Sequence, residues 1–540
     1  MTAQPRSDDR VHFFDSTLRD GQQTQGVDFS VADKRAIAGA LDQLGIRYIE
    51  GGWPGANHTD DAFFADPPAL SNAKLIAFGM TRRAGRSPEN DPGLSAVLNA
   101  KADGVCLVGK TWDFHVDLAL GLDRDDYIAT VGDTMQHAAQ RSGEAMFDAE
   151  HFFDGYKHNP EFALKALGAA YEGGARWLVL CDTNGGTLPH EIERIVGEVA
   201  QRFPRSRLGI HTHDDTGNAV ANALAAVRAG ARQVQGTLNG LGERCGNANL
   251  IPIIASLALK TDFDTGLTAE QLKELTPVSR LLDERLNRSP QRNAAYVGES
   301  AFAHKGGLHV SAVDKDPRTY EHVPPESVGN RRHIVVSDQA GRANILARFR
   351  EIGIEMDGGD PNVAALVERV KAREFEGYAY DGAEASFELL ARRALGQVGE
   401  YFALQRFRVM DDRRFNARGD LVTESEATVT THVQGRDVMT VATGNGPVNA
   451  LDLALRKALI EVYPQLSDMT LTDYKVRILT PQAGTGAVTR VMIESSDAQG
   501  RHWNTVGVSA NIVDASFNAL RDGITWKLYR EGAVPAVNAA

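Results

Sequence analysis

RLGIHTHDD, residues 207–215, is a short apolar run, Leu208, Gly209 and Ile210, that ends in two histidines one residue apart. Such a run, bounded by polar turn formers, reads as a buried strand. Side chains two apart on a strand share a face and lie about 6.6 Å apart along it, so His211 and His213 point the same way. Two imidazoles held like this can grip one divalent cation, with carboxylate and amide oxygens completing its shell. An HxH pair alone also fits one packed and one exposed histidine, so the surrounding chain has to decide.

Outward from this run, short apolar stretches alternate with amphipathic helical ones from Val11 to about Lys260. The strands read as residues 11–17, 47–52, 74–80, 104–109, 145–150, 176–182, 207–213 and 232–240. Helical stretches such as 33–45, 125–140, 160–174, 189–201 and 218–230 carry apolar residues at three and four spacing, several closing on glycine. The second helix, around 60–70, is the weakest, because Pro67 and Pro68 interrupt it. Eight βα units within roughly 250 residues predict a closed parallel (β/α)8 TIM barrel.

In such a barrel, functional side chains come from the carboxyl ends of the strands. The first strand runs into Arg19 and Asp20, the second into Glu50, the fifth into Glu150, and the sixth into Asp182 and Thr183. The seventh ends in His211 and His213, and the eighth runs into GLGERCGN, residues 240–247. Asp20, His211, His213 and Asn247 form a candidate ligand set for Mg, Mn or Zn that leaves room for a 2-oxo acid bound through two oxygens. A cation there would polarise the ketone and stabilise the alkoxide formed when carbon attacks. Arg19 offers a fork for a carboxylate or oxyanion, or a salt bridge at the rim. Glu150 is a candidate proton-relay group or a surface acid. Thr183 is a candidate donor to a substrate carboxylate or a helix cap, and Asn247 by itself also fits a cap for the helix that follows.

Beyond about Thr276 the alternation stops, giving a domain division of 1–276 for the barrel, 277–400 for a mixed linker and 401–540 for the rest. The linker combines short helices with a glycine-rich loop, AFAHKGGLHVSA, and is expected to lie over the barrel mouth. After Tyr401, two sets of three strands each end in a helix, at 448–463 and 512–529. This is a duplicated α+β module without a cluster of catalytic residue types, expected to regulate or dimerise. Three cysteines, Cys106, Cys181 and Cys245, are too scattered for a disulfide framework and favour a reducing, cytoplasmic setting. The polar start of the chain lacks a secretory h-region, and no run approaches the ~20 apolar residues of a membrane span. A net charge of −13 argues against a nucleic-acid partner, so an anionic substrate must meet local positive groups.

LRDGQQ (18–23) with Lys34, the HTHDD run and NGLGERCGN (239–247) together resemble the signatures of the 2-isopropylmalate, homocitrate and citramalate synthase family over the whole chain. The resemblance implies Asp20, His211, His213 and Asn247 as ligands of a divalent metal, Arg19 and Thr183 as groups holding the 2-oxo acid, and Glu150 as an acid near the metal. It further implies His309, in GGLHVSA, as the proton-transfer group acting with acetyl-CoA, Tyr320 beside it, and a homodimer that contributes both across its interface. The implied reaction is a Claisen condensation of acetyl-CoA with a short 2-oxo acid. GGWPGAN (51–57), FDAEHFFDGYKHNP (147–160) and LRDGQQ resemble the citramalate branch, which uses pyruvate in isoleucine biosynthesis. The duplicated module would then bind isoleucine as a feedback effector. If the acid is 2-oxoisovalerate, the chain is a 2-isopropylmalate synthase and the effector leucine. A metal-dependent lyase or aldolase and a catalytically silent amino-acid sensor are the remaining alternatives.

Overall fold

The computed structural model describes residues 9–288, 290–304, 307–334, 346, 348–350, 352–354, 361–415 and 417–535. The chain divides into two compact units, Met1–Phe302 with His322–Arg332, and Ala303–Glu321 with His333–Ala540.

In the first unit eight strands close into a parallel barrel in chain order: β1 His12–Asp15, β2 Tyr48–Gly52, β3 Lys74–Met80, β4 Gly104–Lys110, β5 Ala145–Glu150, β6 Trp177–Asp182, β7 Leu208–Thr212 and β8 Gln233–Gly236, with β8 pairing back to β1. Each is followed by a helix: α1 Val31–Leu44, α2 His58–Ala65, α3 Pro92–Leu98, α4 Arg124–Arg141, α5 Pro160–Glu172, α6 Pro189–Val199, α7 Ala219–Ala229 and α8 Leu250–Lys260. The strands are apolar nearly end to end because helices cover one face and the barrel interior the other. Inside, Phe14, Tyr48, Ile76, Cys106, Met146, Trp177, Val179 and Cys181 fill the lumen. Outside, α6 shows why the helices form: Ile192, Ile195, Val196 and Val199 make one buried stripe. α1 begins on a Ser30–Asp33 capping box and ends on Gly45 in the left-handed region at φ 89°. The weak second helix is real but short. Asn57 caps it, and it stops before Pro67.

One irregularity matters for the site. β2 pairs with β3 through Glu50↔Ile76 and then Gly52↔Ala77, so Gly51 is an extra residue, a β-bulge. Gly52 takes φ 146°, and a Cβ there would lie 2.4 Å from the Asp60 carboxyl carbon, so glycine is required.

A further helix, α9 Leu275–Arg285, packs on α1. In the second unit β9 Ala303–His304 pairs in parallel with β10 His333–Ile334. The second half of the stretch read as a glycine-rich loop is instead helix, within α10 Gly307–Lys315. Gly307 is its one glycine, and Val310 and Val313 supply a buried i, i+3 pair. Gly306, the first residue of GGLHVSA, lies outside the described residues. Helices α11 Pro361–Phe375 and α12 Glu384–Ala394 follow.

The duplicated module is present as two antiparallel three-stranded sheets: β11 Ala403–Phe415, β12 Leu421–Val433 and β13 Arg436–Gly444 with helix α13 Pro447–Leu459, then β14 Thr470–Ile478, β15 Thr489–Ser496 and β16 His502–Ser509 with helix α14 Ile512–Arg530. Both copies carry an irregularity near the start of their first strand, at Leu404/Arg406 and Leu471/Asp473. Alternate residues of β12 and β15 are buried, so each sheet turns one face inward.

Candidate active site

β7 ends at Thr212, and His213 continues as an isolated antiparallel bridge to Asn247. That bridge brings the end of the β7 strand against the loop after β8. His211 Nε2 lies 3.3 Å from Asp20 Oδ2 and 3.3 Å from His213 Nε2. Asp20, His211 and His213 each direct one donor atom into a common space, all within 4.8 Å of one another, and all three are buried. At most one proton can lie between two facing imidazole nitrogens, so this pairing leaves a lone pair aimed at a neighbour. Asn247 donates Nδ2 to the Leu241 carbonyl at 3.1 Å, while its buried Oδ1 has no partner among the described residues. A buried amide oxygen without a donor is costly, and a cation would satisfy it together with the two ring nitrogens. The donor set therefore fits a divalent metal. Asn247 is not the cap of α8; Asn249 fills that role through its side chain.

The charges agree. Burial would raise the Asp20 carboxyl, but Arg19 and the two histidines overcome it and hold it well below the usual carboxylate range. Burial, then the neighbouring His211, push His213 down to about 3. For His211 burial is outweighed by Asp20, and its affinity for a proton rises.

Arg19 is not a surface ion pair. Its Nε donates to Glu50 at 2.7 Å, Nη1 stands 3.5 Å from Asp20, and the guanidinium lies over the Phe78 ring at 3.9 Å. Glu50, in the middle of β2 just before the bulge, is fully buried and also accepts from Ser16. Lys34, fully buried on α1, holds this corner together. Its ammonium donates to the Leu18 carbonyl at 2.8 Å, to the Gly51 carbonyl at 3.0 Å and to Asp60. It thus ties the residue before Arg19 to the bulge beside Glu50.

A cavity of about 280 Å³ opens above these groups, lined by Arg19, Asp20, Asp148, Glu150, Thr183, His211 and His213 on its polar side. Trp53, Phe78, Met80, Val108 and Cys181 form an apolar wall. Trp53 meets Phe78 edge to face at 5.3 Å. Glu150 pairs with Lys110 at 2.5 Å. Thr183 does not cap α6; its Oγ1 accepts the backbone N–H of His151 at 2.8 Å, which leaves the hydroxyl proton available to the cavity. His151 holds a left-handed backbone at φ 57°, a strained conformation of the kind found at functional sites.

In the second unit, His309 on α10 is exposed, and its ring stacks on Tyr320 at 4.1 Å between centroids. The resemblance implies Tyr320 beside His309, and the two rings meet here. It gave no role to Gln235 and Asp148, which the fold places directly behind His211. Gln233 and Gln235 sit two apart on β8, and that polar pair on one face of an otherwise apolar strand was the available signal.

Residues 10–279 match the HMGL-like family, residues 296–376 the homocitrate synthase post-HMGL domain-like family, and residues 381–528 the LeuA allosteric (dimerisation) domain. An (R)-citramalate synthase of Aquifex aeolicus is 51% identical, covering 97% of this chain and 98% of its own length. One of Geobacter sulfurreducens is 50% identical, covering 96% and 98%. A probable 2-isopropylmalate synthase of Methanopyrus kandleri reaches 33%, covering 96% and 98%. The chain belongs to the HMGL-like family, in the branch of the (R)-citramalate synthases. No helix among the described residues is long and apolar enough to cross a membrane.

Proposed function

We propose that this chain is a transferase that condenses acetyl-CoA with pyruvate to give citramalate and CoA. The observation that carries the reading is the buried meeting of Asp20, His211 and His213 beneath Arg19, at the floor of a cavity with one apolar wall. The relatives named for that reaction are half identical over nearly the full chain, whereas the probable 2-isopropylmalate synthase is one-third identical.

Asp20, His211, His213 and Asn247 hold a divalent cation, which when bound supplies Lewis acidity to the ketone of the 2-oxo acid. Mn, Mg and Zn all suit this mixed nitrogen and oxygen set. Arg19, kept in place by Glu50 and Phe78, receives the developing negative charge, and the Thr183 hydroxyl donates to the carboxylate. The methyl group of pyruvate meets the wall of Trp53, Phe78 and Val108, which sets the size of acid admitted. His309 removes a methyl proton from acetyl-CoA, assisted by Tyr320, which its ring stacks upon. The carbanion carbon bonds to the ketone carbon, the ketone oxygen takes a proton with Glu150 in the relay, and water cleaves the thioester to release CoA. The LeuA-type module supports a homodimer, and isoleucine is its effector.

The test is a panel of acetyl-CoA with pyruvate, 2-oxobutyrate, 2-oxoisovalerate and 2-oxoglutarate, read as free CoA thiol. Pyruvate gives the highest kcat/KM. Fastest release with 2-oxoisovalerate would return the chain to the 2-isopropylmalate reaction, and no release with any acid would leave an amino-acid sensor.

A further inference from the structure

The imidazole of His211 is held from inside the barrel. Its Nε2 faces Asp20 and His213, while its Nδ1 lies 2.8 Å from Gln235 Oε1. Gln235, buried on β8, donates Nε2 to Asp148 Oδ1 at 3.0 Å. Asp148 is buried on β5, two residues before Glu150. The second hydrogen of the same amide nitrogen points towards Gln233 Oε1, at 3.5 Å. Three side chains from β5, β8 and β7 thus form a line that ends on a ring nitrogen facing the cavity.

The chemistry of the parts gives that line a direction. Gln235 turns its NH2 towards Asp148, whose ionised carboxylate offers only acceptors. A planar amide turned that way presents its carbonyl to the other side. A carbonyl also only accepts, so the nitrogen of His211 that meets it must carry a proton. Fixing the proton on Nδ1 reserves the Nε2 lone pair for the cavity side. With the amide reversed, two oxygens would face each other at Asp148 and an NH2 would face an N–H at His211, with all three side chains buried.

We propose that Gln235 and Asp148 are positioning residues that lock His211 with its proton on Nδ1 and its Nε2 open, and so keep the cation site of Asp20, His211, His213 and Asn247 ready to bind. The proposal rests on the reading that those four groups hold a cation. Neither Gln235 nor Asp148 contributes a ligand. They set the orientation and basicity of one, and loss of such a partner characteristically weakens metal affinity 10- to 100-fold.

The experiment is a titration of the full-length, metal-stripped protein with Mn2+, with free ion read by electron paramagnetic resonance, alongside circular dichroism and thermal melting. Gln235→Met keeps the length and most of the volume but neither donor nor acceptor. Gln233→Met is the control, since Gln233 is equally buried on the same strand and touches neither histidine. Gln235→Met and Asp148→Leu weaken Mn2+ binding 10- to 100-fold. Asp148→Asn, which still offers an amide oxygen to Gln235, stays within a few-fold of the wild type, as does Gln233→Met. Mn2+ affinity of Gln235→Met within about twofold of the wild type, or an equal loss in Gln233→Met, would overturn the relay. The cation reading fails separately: it falls if the wild type binds no stoichiometric Mn2+ or if His213→Ala binds as tightly as the wild type.

Discussion

Replacing Lys34 by Met tests how the corner beneath Arg19 is built. Methionine fills the same space with no charge, so packing is nearly conserved while three interactions vanish: those to the Leu18 carbonyl, the Gly51 carbonyl and Asp60. Asp60 remains buried, still accepting the Trp53 N–H at 2.8 Å and the Asn57 amide at 2.9 Å, but without a cation. Breaking a buried pair from one side costs about 3–5 kcal/mol, because the abandoned charge keeps its desolvation penalty. Lys34→Met should therefore lower the unfolding free energy of the barrel by that amount in urea titrations followed by circular dichroism. Asp60→Asn added to it removes the stranded charge and keeps the Trp53 contact, recovering about 1–3 kcal/mol as coupling. Leu18 and Gly51 flank Arg19 and Glu50, so kcat/KM should fall roughly 100-fold through misplacement. A loss in Lys34→Met below about 1 kcal/mol, or a double variant no more stable than the single one, would refute the assignment of this lysine as the tie between β1 and β2.

Asp20→Ala and His213→Ala should each abolish turnover and metal retention while the far-ultraviolet circular dichroism stays unchanged; full activity in metal-free buffer would contradict the site. His309→Ala should leave pyruvate binding intact by calorimetry and stop thiol release from acetyl-CoA, and lost pyruvate binding would count against its assigned role. Trp53→Ala should raise kcat/KM for 2-oxobutyrate relative to pyruvate by about 10- to 200-fold, the range one or two methylenes are worth in a shaped pocket. Burial, then the nearby Arg176 and Arg47, lower His12 from 6.5 to about 4 in the folded chain. Its folded value lies below its unfolded one, so protonation favours unfolding. The stability it contributes is complete above pH 6.5 and is lost as pH falls towards 4. His12→Gln should flatten that limb of a profile of unfolding free energy against pH by up to about 2 kcal/mol, allowing for the partial exposure of the ring.

The barrel was legible because its signal is repeated: each strand is an apolar run with a helix of the right period after it, and one weak unit, α2, is outvoted by seven clear ones. The meeting of Asp20, His211 and His213, with Asn247 beside them, was legible because all four stand at strand exits, where the topology gathers them. What stayed hidden depends on three-dimensional partners. Glu50 and Asp148 look like ordinary acids in sequence, and only closure of the barrel shows them buried behind Arg19 and His211. Lys34 was visible as a motif position, but its partner Asp60 lies on the next helix. The helix at Gly307 was missed because paired glycines read as a loop, while the buried Val310 and Val313 that stabilise the turn declare themselves only once packed.

The extra residue at Gly51 has a consequence for how such a cavity can change. Glu50 and Trp53 are three positions apart, and on a regular strand they would face opposite sides. The bulge shifts the alternation by one, so one strand exit sends an acid to brace the arginine and, just beyond, an indole to the apolar wall. The wall can therefore be remodelled from Trp53 onwards by substitution or a one-residue change in length. The residues up to Glu50, and the arginine they brace, keep their register throughout.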